Sequence, residues 1–314
     1  MKKIIVCLVG FLCVSSCFAR SAADLNDIYA KWKTNYAEAK INKMQWRVTL
    51  LEFKKPPPPS PEANMVPLDV FYKELIKDGN NILFRWCVDP NNNMEDSPNT
   101  ITYIFDGKTT KDYDKLSRQL RIRPGTATDA YKINEALDCM LVTPRICPAG
   151  ARCSKYELED YFEAGFALKT IQLLPEMETI LGYPCYIVQF GSPNHKAWFA
   201  PDLGMLPLKY YKAHPQTGFV FETVDVQKVN SVKTSKSLWW YAEISIHKQA
   251  VPGFSDVTSA VQVLDMEPEY PISKDTFNPK WPAGTHVVDR IKNVTYVIGL
   301  NQIEQLESIR KLDK

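Results

Sequence analysis

The sequence predicts an α+β fold: one strongly curved antiparallel sheet of about ten strands, covered by helices. Three observations predict it. Apolar and polar residues alternate with period two in run after run, as in Trp46, Val48 and Leu50 or Ile101, Tyr103 and Phe105. Hairpin turn residues such as Asp78-Gly79-Asn80-Asn81 and Asp106-Gly107 separate those runs, so consecutive strands should pair antiparallel. Helical periodicity is confined to the two ends and one interruption.

The first element is an export signal. Lys2 and Lys3 precede an apolar run from Ile4 to Val14, and small residues Ser15, Ser16 and Ala19 follow. The run is shorter than the roughly 20 apolar residues of a spanning helix, and no later segment reaches that length, so no transmembrane span is expected. Residues 1–19 are therefore read as a signal peptide and 20–314 as one mature domain that is secreted or periplasmic. Cleavage after Ala19 competes with cleavage before Cys17. Val14-Ser15-Ser16-Cys17 resembles a bacterial lipobox, which would lipidate Cys17 and anchor the protein to the outer membrane.

Residues 22–43 carry Leu25, Ile28, Tyr29, Trp32 and Tyr36 at three- and four-residue steps, an amphipathic helix in need of an apolar surface. A strand follows at Trp46–Leu50. Pro56–Pro59 and Pro61 then form a stiff loop, because proline cannot donate to a sheet ladder. Residues 66–123 read as hairpins, with Ile82, Phe84, Trp86 and Val88 on one face and Thr109–Tyr113 returning after Asp106-Gly107. About 124–165 is an inserted helical, Cys-containing region. One helix runs from Thr128 to Cys139, and a capping box at Ser154–Glu157 opens another that stops near Gly165. Strands resume at Phe166–Leu174, Glu178–Leu181, Tyr183–Phe190, Lys196–Ala200, Leu206–Ala213, Gly218–Lys228 and Trp239–Ile246. Residues 250–275 read as irregular, Val287–Ile291 and Val294–Gly299 close the sheet, and Leu300–Leu312 forms a last amphipathic helix.

Composition narrows the function classes. The 45% hydrophobic content supports a folded core, and 38 Lys+Arg against 36 Asp+Glu gives no basic field for nucleic acid. Removing Lys2 and Lys3 with the signal leaves 36 of each sign. After Cys17 five cysteines remain, Cys87, Cys139, Cys147, Cys153 and Cys185, and in an oxidising compartment they tend to pair, leaving one odd. A disulfide-stapled loop around Cys139–Cys153 fits better than zinc, since no His lies there, so no metal is expected.

A curled sheet with large aromatics on one face must cover them, and the N-terminal helix is the available plug. Where helix and sheet fit loosely an apolar cleft remains; where they fit closely the same aromatics are a filled core. The cleft candidates are Trp32, Trp46, Phe84, Trp86, Tyr103, Phe105, Tyr186, Phe190, Phe219 and Phe221.

Three stretches carry a family resemblance: Glu178-Thr-Ile-Leu-Gly182-Tyr-Pro-Cys-Tyr-Ile-Val188, Ala197-Trp198-Phe-Ala-Pro201-Asp-Leu-Gly204-Met-Leu-Pro207-Leu-Lys209, and Phe277-Asn-Pro-Lys-Trp-Pro282-Ala-Gly284-Thr-His-Val-Val-Asp289 with Tyr296. With the order signal, helix, strand and hairpin, they resemble the LolA/LolB-like superfamily of outer-membrane lipoprotein-sorting proteins. The resemblance spans roughly 22–120 and 166–300. It implies a half-open β-barrel covered by helices, with an apolar cavity that takes acyl chains. The chain departs from the compact carriers in its length, its proline loop, its insertion and its cysteines. No cavity arginine is carried over; Arg47 and Arg85 are nearby candidates on strands.

Catalytic patterns are absent: there is no G-x-S-x-G, H-E-x-x-H, P-loop or dinucleotide fingerprint. His195, His214, His247 and His286 read as solvent-exposed or locally bonded, and Glu157, Glu159, Asp160 and Glu163 as a solvated helix face. Strand alternation splits Trp239-Trp240-Tyr241 between two faces. The expectation is a non-enzymatic carrier of the cell envelope, without cofactor, holding a lipid or lipoprotein acyl chain. The alternative is an envelope module similar to RseB-like stress sensors, with side chains filling the cleft and a protein partner bound by its loops. A secreted hydrolase is the third class.

Overall fold

The computed structural model describes residues 24–37, 42–54, 70–79, 81–88, 94, 97–125, 158–191, 194–235, 238–251, 255–273 and 275–300. The signal, Cys17, the proline loop, the 128–139 helix, the capping box, the loop cysteines and the last helix all fall outside them.

Among the described residues fifteen strands form one sheet. They are β1 (Lys43–Lys54), β2 (Val70–Asp78), β3 (Asn81–Cys87), β4 (Ile101–Phe105), β5 (Thr109–Asp114), β6 (Gln119–Pro124), β7 (Ile171–Ile180), β8 (Tyr183–Phe190), β9 (His195–Ala200), β10 (Leu206–Ala213), β11 (Val220–Lys233), β12 (Leu238–Val251), β13 (Ser255–Glu267), β14 (His286–Asp289) and β15 (Val294–Val297). The spatial order is β15-β14-β6-β5-β4-β3-β2-β1-β13-β12-β11-β10-β9-β8-β7. Two meanders, β1–β6 and β7–β13, are thus sewn together by the antiparallel β1–β13 pair. The β14–β15 hairpin then adds to the far side of β6, its β14 running parallel to it.

This corrects the expected architecture. The chain is not a helix-covered half-barrel of about ten strands: the described sheet has fifteen and keeps two separate edges, β7 and β15. Among the described residues only two short α-helices accompany it, α1 (Leu25–Trp32) and α2 (Leu158–Leu168). Physical reasons account for the undercount. β13 looked irregular because Ser255, Asp256, Ser259 and Ala260 dilute its apolar pattern, yet its neighbours β1 and β12 supply both ladders. β6 is short and interleaves Leu120 and Ile122 with Arg121 and Arg123. The runs 166–174 and 178–181 are not two strands. Residues 166–168 end α2, and β7 continues through Pro175 by a bulge between Leu173 and Met177. A proline in a bulge on an edge strand also discourages pairing with another chain.

Both faces of the β2–β4 region are buried. On one, Leu75, Ile82, Tyr103 and Phe105 belong to the main core that contains both helices. On the other, Ile76, Leu83 and Ile104 lie in a cross-strand row and are covered by Tyr270, Ile272, Phe277 and Trp281. The segment read as irregular therefore holds β13 and then a crossing strap. Further along, Trp281 packs on Tyr113 at 4.8 Å, closing a row of Tyr113, Leu120 and Val287.

The helices are held by specific contacts. Asp24 caps α1 through the Asn26 amide at 3.0 Å, and Ile28 and Trp32 face inward. The helix continues as a π-turn over Lys33–Ala37, where Asn35 donates to the Gly204 carbonyl at 2.8 Å and accepts from the Trp239 indole at 2.6 Å. Gly165, inside α2, lets the helix approach β7: a Cβ there would lie 2.7 Å from that of Ile171.

Shortening Ile104, which is 1% exposed, removes contacts on the strap side of the sheet. Ile104→Ala should cost about 2–5 kcal/mol in denaturant unfolding, whereas Leu168→Ala, at a residue 71% exposed, should stay within about 0.5 kcal/mol. Equal effects would mean the strap is not packed on β4.

Candidate functional site

The helices meet the sheet through rings. Tyr29 and Trp32 on α1 contact Phe162 on α2, with centroids 4.9 and 5.9 Å apart, and Tyr29 lies 5.6 Å from Phe166. Phe162 then meets Phe190 edge-on at 5.2 Å and Phe199 at 5.7 Å on β8 and β9. Spacing explains this convergence. Trp32 lies four residues from Ile28, so both share one helical face. The β8–β9 register sets Tyr186 opposite Phe199 and Val188 opposite Ala197, so those side chains share one sheet face.

Of the predicted cleft residues, Trp32, Tyr103, Phe105 and Phe190 join this one buried cluster, with Phe84 and Tyr186 packed against it. Phe84 pairs directly with Tyr103, and half-buried Trp86 pairs with Ile101. Trp46 occupies β1 opposite Val263; its side chain is outside the described residues. Phe219 and Phe221 are not brought in. They meet each other at 5.4 Å beside His214 in the β10–β11 turn, and Phe219 is exposed. Arg47 and Arg85 alternate with the aromatic face and point away from it: Arg47 donates to Gln262, while Arg85 and Gln45 bond buried Glu74.

One polar atom in the seam stands out. The Trp32 indole Nε1 is buried and has no hydrogen-bond partner among the described residues. A buried unpaired donor costs about 1–3 kcal/mol, so this N–H is ready to bond an acceptor that enters the seam.

The sequence reading missed a second group at the end of the seam. His195 opens β9 and lies directly across from Lys212 on β10, which in turn faces buried Glu222 on β11. The Tyr210 hydroxyl is 2.6 Å from His195 Nε2, and Tyr161 on α2 presents its ring edge to the imidazole at 4.5 Å. Lys212 donates to the Tyr161 hydroxyl at 2.9 Å. Burial, reinforced by the Lys212 charge, pushes the His195 pKa down to about 3. Burial first, then Tyr161 and Glu222, hold the Tyr210 phenol protonated well above its ordinary range. A protonated phenol beside a neutral imidazole donates to Nε2, and the Lys212 ammonium donates separately to Tyr161. An imidazole titrating near 3 is a poor base at neutral pH, and the Lys212–Tyr161 bond and the Tyr161–His195 ring contact tie α2 to β10 and β9. Prolines flanking His195 and His214 hid this, because the register that joins 195 to 210 and 212 depends on the whole 201–205 turn.

The other expected chemistry is placed as follows. His247 lies inside β12, 2.8 Å from the Ser245 hydroxyl, and burial pushes its pKa down to about 4. Glu163 on α2 accepts from Tyr29 at 3.2 Å. Trp239 stacks with Tyr241 at 6.0 Å, and Trp240 as well as Tyr241 packs against the main buried cluster, so alternation does not divide the three cleanly between core and surface. Cys87 and Cys185 are buried and do not bridge each other; burial pushes the Cys185 thiol up to about 11. Among the described residues no group of three His, Cys, Asp or Glu side chains could hold a metal ion, and no helix is long and apolar enough to cross a membrane.

Acid should loosen this region. An unfolded histidine takes up a proton near 6.5, whereas folded His195 does so only near 3, so stability is full above 6.5 and falls as pH drops toward 3. At pH 5 the loss from His195 is roughly 2 kcal/mol, and His247 acts in the same direction. Urea titrations at pH 7.5 and 5 check this: His195→Gln should reduce the difference between the two, and an unchanged difference would place His195 outside the buried set.

No family model matches the chain, and no curated protein matches it. Among solved structures it is similar to an uncharacterized conserved protein from Thermus thermophilus, with a TM-score of 0.30 and 10% identity over 84% of this chain and 98% of that one. At that TM-score the likeness carries no inference about fold or function.

Proposed function

We propose that this protein is a non-enzymatic binding protein of the cell envelope that holds a lipid or lipoprotein acyl chain between the helices α1 and α2 and the aromatic face of the sheet. The observation that carries this reading is the seam itself. Two short helices rest on the sheet through Tyr29, Trp32, Phe162 and Phe166, and the Trp32 N–H in that seam lacks an acceptor among the described residues. A lipid ester or amide carbonyl would supply one.

The mechanism is reversible burial. Each methylene removed from water contributes about 0.8 kcal/mol, so a long chain binds without covalent chemistry. Few groups would have to move to admit it: the helices are 8 and 11 residues long, and α2 is pinned at its polar end by Tyr161. A helix of that length displaced from the sheet loses contacts that an acyl chain replaces in kind. The export signal and the lipobox-like run before Cys17 agree with an envelope location, where such ligands occur.

Titration with a fluorescent fatty acid tests the proposal. The protein should bind saturably, with a shift in tryptophan emission. Trp32→Phe keeps the ring packing but removes the N–H, and should weaken binding of a carbonyl-bearing ligand roughly fivefold with little change in melting temperature. Absence of saturable binding in the wild-type protein would end the reading.

A further inference from the structure

The sheet end formed by β5, β6, β14 and β15 differs in charge from the rest of the chain. Residues 106–125 and 283–300 hold eight Lys and Arg against four Asp, while the whole chain is only +2. The cations are Lys108, Lys111, Lys115, Arg118, Arg121, Arg123, Arg290 and Lys292. All four acids are engaged locally. Asp106 accepts the Lys108 and Thr109 amides at 2.9 and 2.6 Å, Asp114 those of Leu116 and Ser117 at 2.9 and 3.3 Å, and Asp289 those of Ile291 and Lys292 at 2.9 Å each. Asp112 pairs with Arg123 at 3.3 Å. The carboxylates thus brace three tight turns from within and leave cations on the outside.

Two of those turns also present bare aliphatic side chains. Leu116, 67% exposed, sits between Lys115 and Arg118; Ile291, 51% exposed, sits between Arg290 and Lys292. The parallel register of β6 and β14 puts the β5–β6 turn at one end of β6 and the β14–β15 turn at the other. Leu116 and Ile291 therefore bracket exposed Arg121, across a patch of roughly 20 by 15 Å from strand rise and spacing. The opposite face of these strands is closed by Trp281, and Lys111 is engaged with Asn278 at 3.0 Å. Exposed aliphatics flanked by cations at turn tips fit the boundary between acyl chains and anionic headgroups.

We propose that this end of the sheet docks on an anionic lipid surface, with Arg121, Arg118, Arg290 and Lys292 on headgroups and Leu116 and Ile291 entering the interface. It is a surface separate from the acyl seam and does not depend on it.

Sedimentation with vesicles tests the docking. Every arm uses the full chain carrying Cys17→Ser, so the leader is common to all and no lipid sits on Cys17. Vesicles of phosphatidylcholine alone are compared with vesicles that also contain phosphatidylglycerol. Binding should be confined largely to the anionic vesicles and weaken with added salt. Each basic residue near such a surface is worth about fivefold in partitioning, so Arg121→Glu with Lys292→Glu should lower it at least about tenfold. Leu116→Ser with Ile291→Ser should lower it severalfold at unchanged charge, and melting temperatures confirm that both variants fold. Equal binding to both vesicle types, no binding to anionic vesicles, or partitioning indifferent to both variants would overturn the docking surface. Fatty-acid binding reads the seam in a separate assay, so the two ideas can fail independently.

Discussion

The β1–β13 ladder is the constraint on which this molecule depends. Without it there are two meanders, each with a long interior strand left as an edge. Such an edge exposes a row of unpaired backbone groups and invites association. With it, β1 fills both sides, bonding β2 along Lys43–Thr49 and β13 along nearly its whole length. The longest strands, β1, β11, β12 and β13, cluster around this seam, and the four-residue strands β14 and β15 sit at the margin. Register shifts at Gln45/Trp46 and Leu50/Glu52 each place an extra residue in the pairing of β1 with β13. Closure into a barrel is not needed to remove the edges, because one remaining edge is very short and the other is interrupted by Pro175.

One consequence is that the central sheet must be satisfied on both faces. The helical face is apolar and aromatic, whereas the strap face carries buried Glu74 bound by Arg85 and Gln45. A buried carboxylate without such partners would cost several kcal/mol, so the register that sets 74 opposite 85 and 45 is itself enforced. The strap then shields the neighbouring row of Ile76, Leu83 and Ile104. Arginines on this face are structural, and that removes them from any role in the aromatic seam.

Local structure was legible in the sequence where one residue type decides the conformation. The Asp106-Gly107 hairpin is such a case: Gly107 has φ 84 and the aspartate caps the turn. So is the α1 stripe of Ile28 and Trp32. What was not legible is whatever depends on strands distant in sequence. β13 is a strand because β1 and β12 flank it, not because its own side chains alternate cleanly. The number of strands, and with it the expected half-barrel, followed from that miss. Trp32, Tyr103, Phe105 and Phe190 are buried in the main cluster, as period alone places large aromatics at strand or helix spacing toward the core. Phe219 and Phe221 obey the same period yet stay outside the cluster, because Phe219 precedes β11 and Phe221 is its second residue, where the two rings pack on each other beside His214. His195 was misread since its partners lie 15 and 17 residues away, across a turn whose register no local rule sets.

The polar group around His195 and the basic end of the sheet show the same physics at different exposures. Under α2, water is excluded, so a positive charge on His195 is disfavoured and the Tyr210 phenol donates to a neutral acceptor. At β5, β6, β14 and β15, water is present, and the aspartates are spent on turn amides or, for Asp112, on Arg123. The first arrangement fixes a helix over an apolar surface. The second leaves a field available to something outside the molecule.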